Sequence, residues 1–218
     1  MKLSKITIDI LKNFASINQG ILFKAGKELR TMNVMKNIFA VAQITDEIPN
    51  DFAIYDLNEF LSSYSLFEGC DVVFKDTMLV FENPGEQIDY HYSSPSVVVS
   101  PGDKKIRLPS EDKKFTLTKE VFDKIQKSSA VMKLKDLSID CSGITIFNRN
   151  AVGNKHHISL NVECGDSSAQ APSFIKVENL KLIPVDYDVV ICNKGLSRFT
   201  SRSEEYKIEY HIALEIDG

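Results

Sequence analysis

The 218-residue chain predicts an α+β fold of two similar domains, each built from antiparallel sheets and two helices. Three observations lead there: most apolar segments alternate with a period of two, only four have helical spacing, and both kinds recur in the same order in each half. Alternation marks half-buried antiparallel strands, spacings of three and four mark a helix face, and recurrence marks a duplicated unit.

The first predicted helix spans about residues 2–17. Leu3, Ile6, Ile10, Phe14 and Ile17 share one face, and Lys2, Lys5, Asp9, Lys12 and Ser16 share the other. Strands follow at 20–25, 38–45 and 51–55, then a short helix from Asp56 to about Tyr64, then strands at 71–75, 77–82 and 86–92. Thr118 reads as the N-cap of the third helix, in which Leu117, Val121, Phe122 and Ile125 form the apolar stripe. Its polar side carries Lys119, Glu120, Asp123, Lys124 and Lys127. Strands are expected at 137–141, 143–148, 158–164, 186–192 and 206–216. The fourth helix, Val177–Ile183, is stopped by Pro184.

The repeat is visible in residues as well as in elements. Leu3-Ser4-Lys5 and Asp9 match Leu117-Thr118-Lys119 and Asp123, and Asp71–Phe74 matches Asp188–Ile191. Between the halves, Ser93–Lys114 contains Pro95, Pro101, Pro109, Gly102 and the charged Asp103-Lys104-Lys105, which is linker chemistry. The expected division is an N-terminal domain at 1–94, a connector at 95–114 and a C-terminal domain at 115–218.

The net charge of −4 argues against bulk basicity as a means of gripping nucleic acid. The charge is segregated, however. Residues 1–45 hold seven basic and two acidic side chains, whereas 46–103 hold twelve acidic ones and Lys75 alone. One positive and one negative surface on the same body is one reading; unevenly solvated faces is the other. Cys70, Cys141, Cys164 and Cys192 form no C-x-x-C pair, so reduced thiols at strand positions are expected rather than disulfides or zinc. No apolar run is long enough to span a membrane, and a soluble cytosolic protein is expected.

Enzymatic motifs are missing. Gly20 and Gly26-Lys27 are one residue too far apart for a phosphate loop, and Glu28 stands where Ser or Thr would hold magnesium. His91, His156, His157 and His211 read as surface histidines on or beside strands, with His156 and His157 pointing to opposite faces. Neither G-x-S-x-G nor H-E-x-x-H occurs. The chain is expected to be no enzyme and to need no metal and no cofactor.

Residues 1–5 (MKLSK), the pattern LKNFA-x-IN-x-GI-x-x-K-x-G over Leu11–Gly26, AIYDLN-x-FL over Ala53–Leu61, and Tyr210-x-x-Ala213-Leu214-Glu215 resemble the sliding clamps of T-even-type bacteriophages. These are ring-shaped processivity factors of the viral DNA polymerase, with the fold of proliferating cell nuclear antigen. The resemblance implies the DNA-clamp fold, assembled as a homotrimeric, pseudo-sixfold ring with helices inside and sheets outside. A duplex about 20 Å across with a water layer leaves a circle of helix axes about 125 Å around. That circle holds about twelve helices, so three chains of four each would fill it. It also implies that Lys2, Lys5, Lys12, Lys119, Lys124, Lys127 and Lys133 face double-stranded DNA, with Lys176 or Lys181 as weaker candidates. Loose, sequence-independent contact suits a clamp that slides.

The partner groove is placed on Val97, Val98, Val99, Ile106 and Leu108 of the connector, with Ile212, Leu214 and Ile216 of the last strand as the other wall. An ordinary edge strand at Val97–Val99 is the alternative. Implied partners are the C-terminal tail of the replicative polymerase, an ATP-dependent clamp loader and a late-transcription sigma-like factor with its co-activator. No membrane is involved, and the site of action is the cytoplasm of the infected bacterial host. Edge strands 86–92 and 155–164 are the expected subunit contact. A non-encircling monomeric processivity or scaffold protein of the same fold is the alternative function.

Overall fold

The computed structural model describes residues 1–67, 69–140, 142–150, 156–162 and 171–215. The chain divides into two compact units: Met1–Lys104 with Glu205–Ile208, and Lys105–Glu204 with Glu209–Gly218.

In the first unit, α1 (Lys5–Ile17) leads to β1 (Ile21–Phe23), β2 (Gly26–Met32), β3 (Ile38–Ile48), β4 (Phe52–Ile54), α2 (Leu57–Ser65), β5 (Asp71–Phe74), β6 (Met78–Asn83) and β7 (Glu86–His91). β1 pairs with β4, β2 with β3, and β5-β6-β7 form a meander, all antiparallel. Helix α1 buries Thr7, Ile10, Leu11, Phe14 and Ile17. Ile6 is only half-buried, and Leu3 precedes the helix. An aromatic cluster fills the rest of the core: Phe52 stacks between Phe23 and Tyr92 at centroid distances of 4.5 and 4.6 Å. Phe60 from α2 meets Phe81 and Tyr90, each at 5.5 Å.

The second unit contains β8 (Lys113–Leu117), α3 (Lys119–Met132), β9 (Asp136–Asp140), β10 (Gly143–Phe147), β11 (Ile158–Leu160), β12 (Ser173–Lys176), β13 (Tyr187–Cys192), β14 (Leu196–Ser201) and, from Glu209 on, β15 (Lys207–Ala213). One sheet runs β11-β10-β9-β12, and β8-β13-β14-β15 form consecutive antiparallel neighbours. Tyr187, Phe199, Tyr210 and Ile212 are buried at its core. Tyr187 Oη donates to the Ile183 carbonyl at 2.6 Å, and the Ile183 N–H donates to Tyr210 Oη at 3.2 Å.

Several expectations are corrected. The fourth helix is a single 3₁₀ turn, Val177–Asn179; Val177, Asn179, Leu180, Leu182 and Ile183 are buried, Lys181 is half-buried and Glu178 is exposed. Leu117 ends β8 instead of opening α3. The strands β2, β8, β12 and β14 were not anticipated, and β1 is shorter than 20–25. His211 is 3% exposed, a core residue and not a surface one. His156 and His157 line the same concavity instead of opposite faces. Cys70 and Cys192 are buried free thiols; Cys141, Cys164 and Ile216 lie outside the described residues. Among the described residues no helix is long and apolar enough to cross a membrane.

Candidate nucleic-acid interface

Both long helices begin in the same way. Ser4 is the N-cap of α1 and its Oγ accepts from the Thr7 N–H at 3.2 Å; Thr118 is the N-cap of α3 and its Oγ1 accepts from the Val121 N–H at 3.3 Å. Each start also receives a carboxylate from elsewhere in its unit. The Ser4 N–H donates to Asp46 at 2.8 Å, and the Lys119 N–H donates to Asp186 at 2.7 Å. These carboxylates matter because the first helical residue is a lysine in both cases, Lys5 and Lys119, set against the positive end of the helix dipole. Helix stability does not call for a cation there, which points to a role outside the fold.

All seven lysines assigned to the interface, Lys2, Lys5, Lys12, Lys119, Lys124, Lys127 and Lys133, are exposed. Their electrostatic states differ between helices. On α3, Lys119 pairs with Asp123 at 2.9 Å and Lys124 with Glu120 at 2.8 Å. The Lys124 ammonium holds the Glu120 carboxyl below its usual range. Lys2, Lys5 and Lys12 form no ion pair among the described residues, and Asp9 between them accepts from Tyr206 Oη at 3.1 Å. Lys133 adopts a left-handed conformation (φ 55°) and closes α3 through its N–H to the Ser129 carbonyl. Lys176 is held by Asp136.

The proposed groove residues divide by unit. In the first, a 3₁₀ turn at Pro95–Val97 leaves Val97 55% exposed, with Val98 and Val99 half-buried. Asn18, just past α1, donates to the Val99 carbonyl at 2.9 Å, and Arg30 donates to the carbonyls of Gly102 and Lys104 at 3.2 and 3.1 Å. Gly20 permits the close approach: a Cβ there would lie 2.9 Å from the Ile54 carbonyl and 3.3 Å from Val98. In the second unit, Ile106 is exposed and Leu108 and Leu214 are half-buried. Ile212 has 0% exposure; on β15 it faces the core and offers nothing to a ligand.

The carboxylates Asp46 and Asp186 were missed by sequence reasoning because they lie 42 and 67 residues from the N–H groups they accept from. Among the described residues no group of three His, Cys, Asp or Glu is arranged to hold a metal ion. The Gly20–Lys27 segment is a short strand and a turn, with Gly26 at φ 115°.

Residues 2–99 match the family described as DNA polymerase processivity factor, and residues 114–216 match the family described as gp45 sliding clamp, C terminal. The sliding clamp of Vibrio phage KVP40 is 34% identical over 224 residues, covering 99% of each chain. That of Escherichia phage RB69 is 32% identical and covers 100% of this chain and 98% of its own. Among solved structures, A. fulgidus proliferating cell nuclear antigen bound to the C-terminal region of FEN-1 has a TM-score of 0.71 at 13% identity, covering 100% and 98% of the two chains. The Entamoeba histolytica antigen has a TM-score of 0.70 at 12% identity, covering 97% and 95%. The last two likenesses establish the fold.

Proposed function

Because the chain belongs to the sliding clamps of T4-like phages, the non-enzymatic DNA polymerase processivity factors, we propose that three copies close into a ring around duplex DNA. The lysines Lys2, Lys5, Lys12, Lys119, Lys124, Lys127 and Lys133 line that ring. The observation that carries this reading is the pair of capped helices, each opening on an exposed lysine at its own positive end, in a chain whose net charge is −4. A weak cationic lining inside an acidic body tethers without friction, since every fixed phosphate contact must break for the ring to move.

Among its described residues each chain offers three α-helices and, in place of a fourth, the Val177–Asn179 turn. Three copies supply twelve such positions, the number that a circle of about 125 Å accepts. The edge strands β7 and β11 are the proposed subunit contact, and 1–94, 95–114 and 115–218 the proposed domain division. Val97, Val98 and Val99 of the first unit and Ile106, Leu108 and Leu214 of the second are the proposed docking residues for the polymerase C-terminal tail. The ATP-dependent loader and a late-transcription sigma-like factor with its co-activator use the same residues, in the cytoplasm of the infected host. No ATP site is needed on the clamp itself, because a separate loader opens the ring.

Light scattering tests the assembly: a trimer has three times the chain mass of 24.5 kDa. Primer extension with the cognate polymerase and loader tests the activity. A protein that stays monomeric at micromolar concentration, yet lengthens polymerase runs, is a non-encircling factor and overturns the ring.

A further inference from the structure

The two long helices carry the same ion-pair motif, and only one of them uses it. Lys5 and Asp9 on α1 correspond to Lys119 and Asp123 on α3, at a spacing that places both side chains on one helix face. On α3 the pair closes at 2.9 Å. On α1 it does not form, and Asp9 Oδ2 instead accepts from the Tyr206 hydroxyl at 3.1 Å. Lys5 is exposed and has no ion pair among the described residues.

Tyr206 reaches Asp9 from far along the chain. It lies in the connection between β14 and β15, within the segment Glu205–Ile208 that belongs to the first unit. Its side chain is half-buried. Burial, then the bond to Asp9, then the charges of Asp9 and Glu205 raise its pKa, so at neutral pH the phenol keeps the proton that it donates. A hydrogen bond to a carboxylate, partly shielded from water as this one is, outweighs an exposed ion pair whose ammonium is well hydrated.

We propose that Tyr206 is a positioning residue: its hydroxyl holds Asp9 aside and leaves Lys5 without the partner that Lys119 has. The net charge is the same with or without that bond; what changes is the group that the carboxylate faces. The proposal rests on the ring reading above, in which Lys5 belongs to the lining, and adds to it a residue that lies on no helix and carries no cation. It also accounts for one sequence motif giving two helices of different electrostatic state. Both helix starts receive a remote carboxylate, Asp46 or Asp186, but among the described residues no hydroxyl donates to Asp123.

Double-mutant cycles test the assignment, read as affinity for a fluorescent duplex of random sequence at low salt. In the wild-type background Lys5→Gln and Asp9→Asn should act independently, whereas Lys119→Gln and Asp123→Asn should couple. Tyr206→Phe keeps the ring and removes the donor. It should weaken duplex binding and raise the Lys5–Asp9 coupling to the Lys119–Asp123 value, about two-fold per chain and therefore roughly eight-fold for three copies on one duplex. In the Asp9→Asn background Tyr206→Phe should change nothing, which a purely structural role for the ring does not predict. Thermal unfolding checks that the variants fold; if Tyr206→Phe does not, the comparison of the two wild-type cycles decides alone. Equal coupling in those two cycles overturns the proposal. So does a Tyr206→Phe variant with wild-type affinity, or one whose effect is the same with and without the Asp9 carboxylate. Coupling that appears at Lys12 in place of Lys5 overturns it as well. If the cycles behave as expected but wild-type protein adds no length to polymerase runs, the processivity reading fails and the role of Tyr206 stands; if runs lengthen and the two wild-type cycles agree, only that role fails.

Discussion

The Ser4 N–H donates to Asp46 Oδ2 at 2.8 Å across 42 residues of sequence, joining the start of α1 to β3. With Ser4 Oγ accepting from the Thr7 N–H, this gives the helix end two acceptors where its own first turn contains no acid. Removing either therefore destabilises the start of α1. We expect Ser4→Ala and Asp46→Ala each to lower unfolding free energy by about 1 kcal/mol in urea titrations. Because both serve one helix end, the double variant should cost less than the sum. Full additivity would show that the two acceptors act independently.

The α3 N-cap and the apolar face of α1 were legible because both rest on local spacing. Thr118 stands three residues before Val121, and Ile10, Phe14 and Ile17 fall on one stripe. The Val177 turn was not legible, since a mostly buried turn looks the same as a helical stripe when only apolar spacing is read. Strands β12 and β14 were missed for a related reason: Ser173, Ser197 and Thr200 are polar, so alternation is weak, and Ser197 is buried only because its Oγ donates to the Ile212 carbonyl at 2.8 Å. Of the site, the exposed lysines were visible in sequence. Ile212 was misplaced because alternation shows that two faces exist without showing which one meets the core.

His211 makes the second unit acid-sensitive. Burial, and secondarily the Arg198 guanidinium on the paired strand, push its pKa down to about 4 from an ordinary 6.5. Glu209 at 3.6 Å does not offset this. The folded state keeps the imidazole neutral while the unfolded chain takes up a proton. The contribution is therefore complete above pH 6.5 and falls away between 6.5 and about 4, by up to roughly 3 kcal/mol. Melting temperature should drop across that window in wild type and drop less in His211→Leu. Identical pH profiles would remove His211 from the explanation.

Tyr187 supplies the hydroxyl that satisfies the buried Ile183 carbonyl, at 2.6 Å, and its own pKa is raised, chiefly by burial. Tyr187→Phe keeps the ring packing against Phe199 and Tyr210, at centroid distances of 6.4 and 6.0 Å, and removes only the donor. The stranded carbonyl should cost about 1–3 kcal/mol, read as a lower urea midpoint with an unchanged m-value. A cost near zero would mean that another donor reaches Ile183.

Among the docking residues, Val97 gives the cleanest probe. At 55% exposure it adds little to the fold, whereas Val98 lies close to Gly20, and a charge there would damage both packing and binding. We expect Val97→Asp to weaken binding of a polymerase C-terminal peptide at least several-fold in calorimetry, while leaving thermal stability within about 0.5 kcal/mol. Undiminished affinity in Val97→Asp combined with Leu108→Asp would eliminate the connector as the docking surface.

The two helices should not contribute equally to the DNA tether. Lys119 and Lys124 already spend part of their charge on Asp123 and Glu120, whereas Lys5 and Lys12 have no ion pair among the described residues. Exposed pairs at i,i+4 are weak, so phosphate can displace them, but each exchange returns less than a contact made by an unpaired lysine. Reversal of Lys5 and Lys12 to Glu should therefore shorten polymerase runs more than reversal of Lys119 and Lys124. All four together should abolish processive synthesis at physiological salt with trimer mass unchanged. Asp123→Asn, which releases Lys119, should act in the opposite direction, tightening the hold on duplex and slowing translocation along it. Run lengths that respond equally to both pairs would show that the ion pairs do not persist once DNA is enclosed. Full processivity in the fourfold variant would show that the duplex is held elsewhere.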